Sequence, residues 1–293
     1  LPDALVNSIT TGFGAPLSTI GLVIGFGVMM GRLLEVSGAA ERMAYTFVRW
    51  LGSKREEWAM MVTGYIVSVP IFCDSAFVIL NPLVRALSRN TGKSMLTLGI
   101  ALAAGLMLTH HAVPPTPGPL GIAGIFNVDV GLMIFWGMVF TLPGMFVLVA
   151  YARIMGPRIE AMIAQSGQAP LEPAAAYRDV LERADAREAE LPPLWLSLFP
   201  ILLPILLIFA NTLIVAITKL NGDSTLAQSL FGQTIAFVGN PVIAVGLGVL
   251  AALYGLVPRR PREEVIAHME KGVESAGIIL LVTGAGGALG AVL

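Results

Sequence analysis

This sequence reads as an all-α protein that crosses a membrane several times, and three features force that reading: long apolar runs, scarce charge, and prolines set inside apolar segments. Of its 293 residues, 56% are hydrophobic and 13% are charged, where a soluble domain carries about a quarter charged residues. The runs Gly14–Leu34, Gly131–Tyr151, Leu194–Ile217 and Asn240–Val257 each approach the roughly 20 apolar residues needed to cross a bilayer core. Many of the 32 glycines and 19 prolines fall within apolar stretches. Membrane helices tolerate them where the freed backbone groups face protein or a water-filled cavity.

The distribution of Lys and Arg sets the expected topology, because cytoplasmic loops carry the basic excess. Basic residues cluster in 35–57, 85–94, 153–192 and 258–274, which are therefore assigned to the cytoplasm; the turns at Asn127–Asp129 and Asn221–Gly239 are bare of them. The apolar stretch Trp58–Ser88 has basic residues at both ends, so it is expected to enter and leave on one side. Its arms, Trp58–Phe72 and Ser75–Ser88, are short for full crossings, and the reading is a re-entrant helical hairpin with its tip at Pro70–Ser75. A pair of short full spans is the alternative. From Ser94 to Ala152 there is no Lys or Arg. That stretch is expected to cross twice, its first crossing interrupted at Thr109–Pro119, where Pro114, Pro115, Pro117 and Pro119 each lack an N–H and clash with the preceding turn of a helix.

The expected organisation follows. Residues 1–153 form a first repeat: a span at 14–34, the hairpin at 58–88, a broken helix at 95–126 and a span at 131–152. Residues 154–192 form a cytoplasmic linker and 193–257 two connecting spans. Residues 258–293 hold an amphipathic cytoplasmic segment and the start of a second repeat. The repeat rests on Leu22–Leu34 aligning without gaps to Leu281–Leu293, with Leu22, Val23, Gly25, Gly27, Gly31 and Leu34 recurring. A lone small-residue spacing is weak, being a general packing device, but here the whole pattern returns. The charge map runs the two copies in opposite directions across the membrane, as in inverted-repeat transporters with broken helices and a midplane site. On this reading the chain is truncated within its second repeat, and a second hairpin and a second broken helix should follow.

Candidate site residues are the polar groups at the two breaks. Asp74 is the one acidic residue well inside an apolar segment, and His110 and His111 also sit at membrane depth; an ionisable group there is a functional hypothesis by default. The helix beginning at Asp74-Ser75 offers unpaired N–H groups and a partial positive charge, suited to a carboxylate. The break at Thr109–Pro119 offers carbonyls, the Thr116 hydroxyl and imidazole donors, which suit the hydroxyls of a sugar. Protonating Asp74 or a histidine would remove repulsion from an anion or add attraction, a physical route to proton coupling. The plainer readings are an N-cap for Asp74, a packed structural role for one histidine, and a purely structural kink at the prolines. Cys73, the single cysteine, reads as a small buried apolar residue. No metal site or cofactor is expected, and nothing points to nucleic acid.

Phe72-Cys73-Asp74-Ser75-Ala76-Phe77-Val78-Ile79-Leu80, the run Thr109–Pro119 with its His-x-x-x-Pro-Pro-x-Pro-Gly-Pro pattern, and Asn127-x-Asp129-x-Gly131 resemble the gluconate permease family of bacterial symporters along the whole chain. The resemblance implies proton symport of gluconate or a related sugar acid, with D-serine and other hydroxy acids in some members. It also implies an inner-membrane location and kinship with transporters whose moving domain carries two re-entrant hairpins. Carried over, Asp74 is the acidic tip, His110 rather than His111 matches the histidine after the Thr, and Pro114, Pro115, Pro117 and Gly118 form the break. The partners expected are a small anionic substrate, a proton and the lipid bilayer; a homo-oligomer is left open. Sodium coupling is the runner-up, and an intramembrane enzyme or a channel are the rivals of other classes.

The hairpin is testable from charge alone. In the full-length protein with Cys73→Ser, cysteines at Arg55 and Arg89 are expected to react with an impermeant thiol reagent only from the cytoplasm. Labelling of the two from opposite sides would replace the hairpin by two full spans.

Overall fold

The computed structural model describes residues 2–51, 54–166, 190–221, 225–258 and 260–293, and among them there are helices and no strand. In chain order these are α1 (Pro2–Val36), α2 (Ala39–Leu51), α3 (Glu56–Val67), α4 (Cys73–Thr91), α5 (Met95–Ala112), α6 (Pro117–Phe126), α7 (Val130–Gln165), α8 (Leu194–Asn221), α9 (Thr225–Gln228), α10 (Leu230–Val238), α11 (Pro241–Leu256) and α12 (Arg262–Val292). Five helical stretches are long and apolar enough to cross a membrane: Asp3–Val36, Met95–Phe126, Val130–Gln165, Leu194–Leu220 and Arg262–Val292. The pair α10 and α11, bent by 68° at its break, adds a sixth if it counts as one span. The protein is a multi-pass membrane protein.

The helices outrun the apolar runs that announce them. The run ending at Tyr151 belongs to a helix that continues to Gln165, since Arg153, Arg158 and Glu160 are compatible with a helix that has left an apolar layer. Most of the expected linker, residues 167–189, lies outside the described residues. The amphipathic segment at Pro261–Lys271 and the apolar segment after it are one helix, α12. The stretch 221–239, expected as a loop, holds the short helices α9 and α10.

The two interruptions fall where the sequence places them but are tighter. The hairpin turns at Ser68–Phe72, so Cys73, Asp74 and Ser75 already form the first turn of α4 rather than the tip. The expected break at Thr109–Pro119 shrinks to Val113–Thr116. Thr109, His110 and His111 remain in the last turn of α5, and Pro117 and Pro119 open α6. In a first turn a proline costs nothing, because its missing N–H would have had no partner. The polar motif after α6 is a turn: Asn127 adopts the left-handed conformation at φ 50°. Asp129 Oδ1 accepts from Leu132 N at 2.9 Å to cap α7, and from Thr212 Oγ1 at 3.1 Å to tie α7 to α8.

Glycine allows the closest packing. A Cβ on Gly64 would lie 2.5 Å from Leu102 O, and one on Gly105 would lie 2.2 Å from Met61 O, so α3 and α5 touch backbone to backbone. A Cβ on Gly31 would lie 2.1 Å from Pro70 O. Gly31 of α1 thus receives the hairpin tip. Contacts between α1 and α12 run in opposite order along the two helices: Gly12 meets Gly287 and Ala291, Gly21 meets Leu280, and Gly272 meets Val28 and Arg32. The two helices are antiparallel neighbours. The main core gathers Met30, Leu33, Leu34, Met43, Met60, Leu80, Leu98 and Leu102 at the end of the bundle where α2 caps α1, α3 and α4.

Gly105→Ala is expected to destabilise the detergent-solubilised protein by about 1–3 kcal/mol, the usual range for overpacking, and to lower its thermal midpoint. Gly25→Ala, at a site with nothing within 4 Å, is expected to leave the midpoint unchanged.

Candidate functional site

The hairpin tip, the helix break and α1 converge on one crevice. Gly27 and Val28 of α1, Val69–Phe72 of the tip, His110 of α5 and Pro115–Pro117 of the break line it. The tip can approach α1 because Gly31 leaves room for the carbonyl of Pro70. The crevice is narrow, with space for about one water molecule, so a ligand larger than that meets this chain at the crevice rim.

The two histidines separate cleanly. His110 is half-buried, its ring 5.9 Å from Phe72 in an edge-to-face contact. Its Nδ1 is buried and makes no hydrogen bond among the described residues, which leaves a polar ring atom with nothing to satisfy it. His111 is exposed, and its Nδ1 lies 2.9 Å from Met107 O, to which it donates when the proton sits on that nitrogen. Adjacent positions on a helix point about 100° apart, and only one of the pair can face the crevice.

The hydroxyls of both threonines donate within the protein. Thr109 Oγ1 donates to Tyr65 O at 2.7 Å, fastening α5 to the last turn of α3. Thr116 Oγ1 donates to Val113 O at 2.6 Å across the break. Both residues are buried, at 0% and 3% exposure. Tyr65 and Thr141, which the sequence does not single out, extend this fastening. Their hydroxyl oxygens are 2.8 Å apart and Thr141 Oγ1 donates to Gly137 O, so the Tyr65 hydroxyl donates to Thr141 and links α3 to α7.

Asp74 is exposed in this chain rather than enclosed, at the head of an exposed stripe with Val78, Pro82 and Arg85 on α4. It does not cap the helix: the N-cap is Phe72, and no side chain caps this end. Ser75, in the same turn, is half-buried. The N-terminus of α6 likewise lacks a side-chain cap, with Thr116 at the N-cap turned to Val113 instead. By contrast Ser94, Asp129, Ser229 and Asn240 cap α5, α7, α10 and α11. Two helix N-termini without side-chain caps, each with partial positive charge and unused N–H groups, therefore border the crevice. At α6 the prolines leave Gly118, which is exposed, as the donor of the first turn.

A second charged cluster lies at the open end of the hairpin, and the sequence reading missed it. Glu56 and Glu57 are 4% and 5% exposed. Lys93, between α4 and α5, reaches both: its Nζ is 2.7 Å from Glu56 Oε2 and 2.8 Å from Glu57 Oε1. Arg153 Nη2 of α7 is 3.5 Å from Glu57 Oε2. Burial opposes the charge on each glutamate, but the hydrogen bonds and positive charge of Lys93 outweigh it and hold both carboxyls below their ordinary range. The available signal was two adjacent acids opening one apolar arm and a lysine closing the other. Among the described residues no cluster of three His, Cys, Asp or Glu side chains could hold a metal.

A family model described as the GntP family permease matches residues 2–293. An uncharacterized permease of Haemophilus influenzae is 50% identical over 99% of this chain and 59% of its own length. The gluconate permease of Pseudomonas aeruginosa is 31% identical over 97% of this chain and 60% of its own length. The D-serine transporter DsdX of Escherichia coli K12 is 34% identical over 100% of this chain and 62% of its own length. The chain spans about three-fifths of the length of these relatives. No solved structure matches it.

The glutamate cluster makes a pH prediction. Both folded-state pKa values are depressed, so the stabilisation is present above the unfolded carboxylate value, about 4.3, and is lost as pH falls through the lowered folded values. Thermal midpoints of the solubilised protein are expected to fall in that acid range. Glu57→Gln should lower the midpoint at neutral pH and flatten its acid dependence; an unchanged acid profile would remove Glu57 as its source.

Proposed function

The chain belongs to the GntP permease family, and from that premise we propose that it forms the first part of a secondary transporter that imports a small sugar acid, gluconate-like, by proton symport across the bacterial inner membrane. The observation that carries the reading is the meeting of the hairpin tip with the helix break at His110. Two helix N-termini without side-chain caps and an imidazole with an unused ring nitrogen face one crevice. That is a donor-rich, electropositive setting for a carboxylate and its neighbouring hydroxyls. The names of the relatives, a gluconate permease and a D-serine transporter, support a small hydroxy or amino acid as cargo. D-serine or glycerate is the second reading of the substrate, and sodium, held by the carbonyls of the breaks, the second reading of the coupling ion.

The architecture we propose is an inverted repeat with a re-entrant hairpin. The ends of the hairpin arms lie together, because Lys93 reaches Glu56, Glu57 and the Lys54 carbonyl. The repeat pairs Leu22 with Leu281, so it pairs Gly21 with Leu280, and these two residues meet where the antiparallel α1 and α12 cross. A two-fold axis between repeats would pass through such a point.

Asp74 is the proposed proton carrier and His110 the proposed substrate donor. In full-length protein in proteoliposomes, Asp74→Asn imitates the protonated state and is expected to keep binding or exchange while losing uphill, pH-driven uptake. His110→Gln is expected to raise the KM for the acid by roughly tenfold or more, the loss of one hydrogen bond to a charged group. The reverse pattern would move the proton to His110, and uphill accumulation by both variants would clear both residues of coupling.

A further inference from the structure

We infer that a groove between the end of α11 and the start of α12 seats one anionic phospholipid, its phosphate held by Arg260 and Arg262 and its upper acyl carbons lying on an apolar floor. The inference rests on the multi-pass membrane class and the charge map, and it stands whether or not the chain carries a sugar acid.

The groove has a volume of about 570 Å³, within the range of sites that take small molecules. Its floor includes Val257 and Val265, both buried and part of the main core. Tyr254 and Ile266 line it and are exposed. Arg260 and Arg262 supply its charged edge, and among the described residues no acidic side chain lines it. A groove that is apolar beneath and doubly cationic at its edge matches a molecule built of those two parts. An anionic lipid has both, and a soluble phosphate has only one. Basic pockets between membrane helices on the cytoplasmic side hold acidic lipid headgroups by the same pairing, and the basic excess assigns residues 258–274 to that side.

The depth is that of a headgroup. Arg260 Nη2 donates to Val36 O at 2.9 Å, so the groove lies level with the end of α1, just past the apolar run that closes at Leu34. Toward the bilayer, Gly272 of α12 meets Val28 and Arg32, and Gly248 of α11 meets Met30. Tyr254 thus stands at the level where aromatic rings border a bilayer. The two arginines differ in freedom. Arg260 also pairs with Glu264, which in turn lies 3.7 Å from His268 Nε2, so its guanidinium is fixed at the edge. The Arg262 side chain has no hydrogen bond or ion pair among the described residues, which leaves its forked donors for a phosphate. It opens α12, whose N-terminus has no side-chain cap and adds partial positive charge. Glu263 and Glu264, in the same turn, do not line the groove.

The test captures the lipid in place. Full-length protein with the photoreactive residue p-benzoylphenylalanine at Tyr254 is reconstituted in phosphatidylcholine vesicles holding an equal trace of labelled phosphatidylglycerol or labelled phosphatidylcholine, and irradiated. Phosphatidylglycerol is expected to be captured in preference. Arg262→Gln is expected to lower that preference about fivefold, the worth of one basic residue near a membrane surface. Arg158→Gln, at an exposed arginine of α7 assigned to the same side, is expected to leave it unchanged. Equal capture of the two lipids, or a preference that survives Arg262→Gln, would overturn the inference. So would a photoproduct within the chain, which would mean that another part of the full-length protein fills the groove. Displacement of the lipid by glycerol 1-phosphate would make this a soluble phosphate site and overturn the lipid assignment. Should the Tyr254 variant fail to fold, native mass spectrometry of the detergent-solubilised protein decides. One phosphatidylglycerol is expected to be retained by the unsubstituted chain and lost from Arg262→Gln, and equal retention would overturn the seat. Uptake is not the readout, so failure of the transport reading leaves these outcomes untouched.

Discussion

Backbone laid against backbone through glycine is the interaction on which the rest of this structure depends. Residues 68–72 and 113–116 leave their helices, and the carbonyl of Pro70 is seated on Gly31 of α1. A side chain at Gly31 would occupy the place of the Pro70 carbonyl, and the tip could not approach α1. The same device joins α3 to α5 at Gly64 and Gly105, and α5 to α7 at Gly137, where a Cβ would lie 2.3 Å from Ala112 O. Lipid offers no hydrophobic force to drive helices together, and close backbone approach is what replaces it.

Close approach sets which polar groups are spent on structure and which are left over. With α3 and α5 in contact, the Thr109 hydroxyl reaches the Tyr65 carbonyl and the Tyr65 hydroxyl reaches Thr141. Thr116 closes the break on Val113. These bonds use the donor protons of the hydroxyls within the fold. What remains at the junction is the His110 ring nitrogen and the helix N-termini at Phe72 and Thr116. A site made from groups that the fold has not already paired is preorganised, because the paired groups hold its walls in place.

Charge is used at the opposite end of the hairpin. There the fold buries Glu56 and Glu57 and answers them with Lys93 and Arg153. Ion pairs hold the hairpin's mouth, and apolar packing of Val69, Ile71 and Phe72, with the Pro70 carbonyl lying on Gly31, holds its tip.

The residue pattern by itself determined the all-α membrane class, the existence and approximate position of both interruptions, and the candidates at them, because proline, glycine and apolar length act locally on the backbone. It did not determine the faces. His110 and His111 are chemically alike and adjacent, and only the packing of α5 against the tip turns one to the crevice and the other outward. Asp74 sits among apolar neighbours in the chain, yet α4 turns it outward with Val78, so apolar context did not mean enclosure. Glu56 and Glu57 look like the polar flank of an arm until Lys93, distant in sequence, is brought to them. Local spacing fixes conformation, but burial and pairing are properties of contacts between distant segments, and those only the tertiary structure decided.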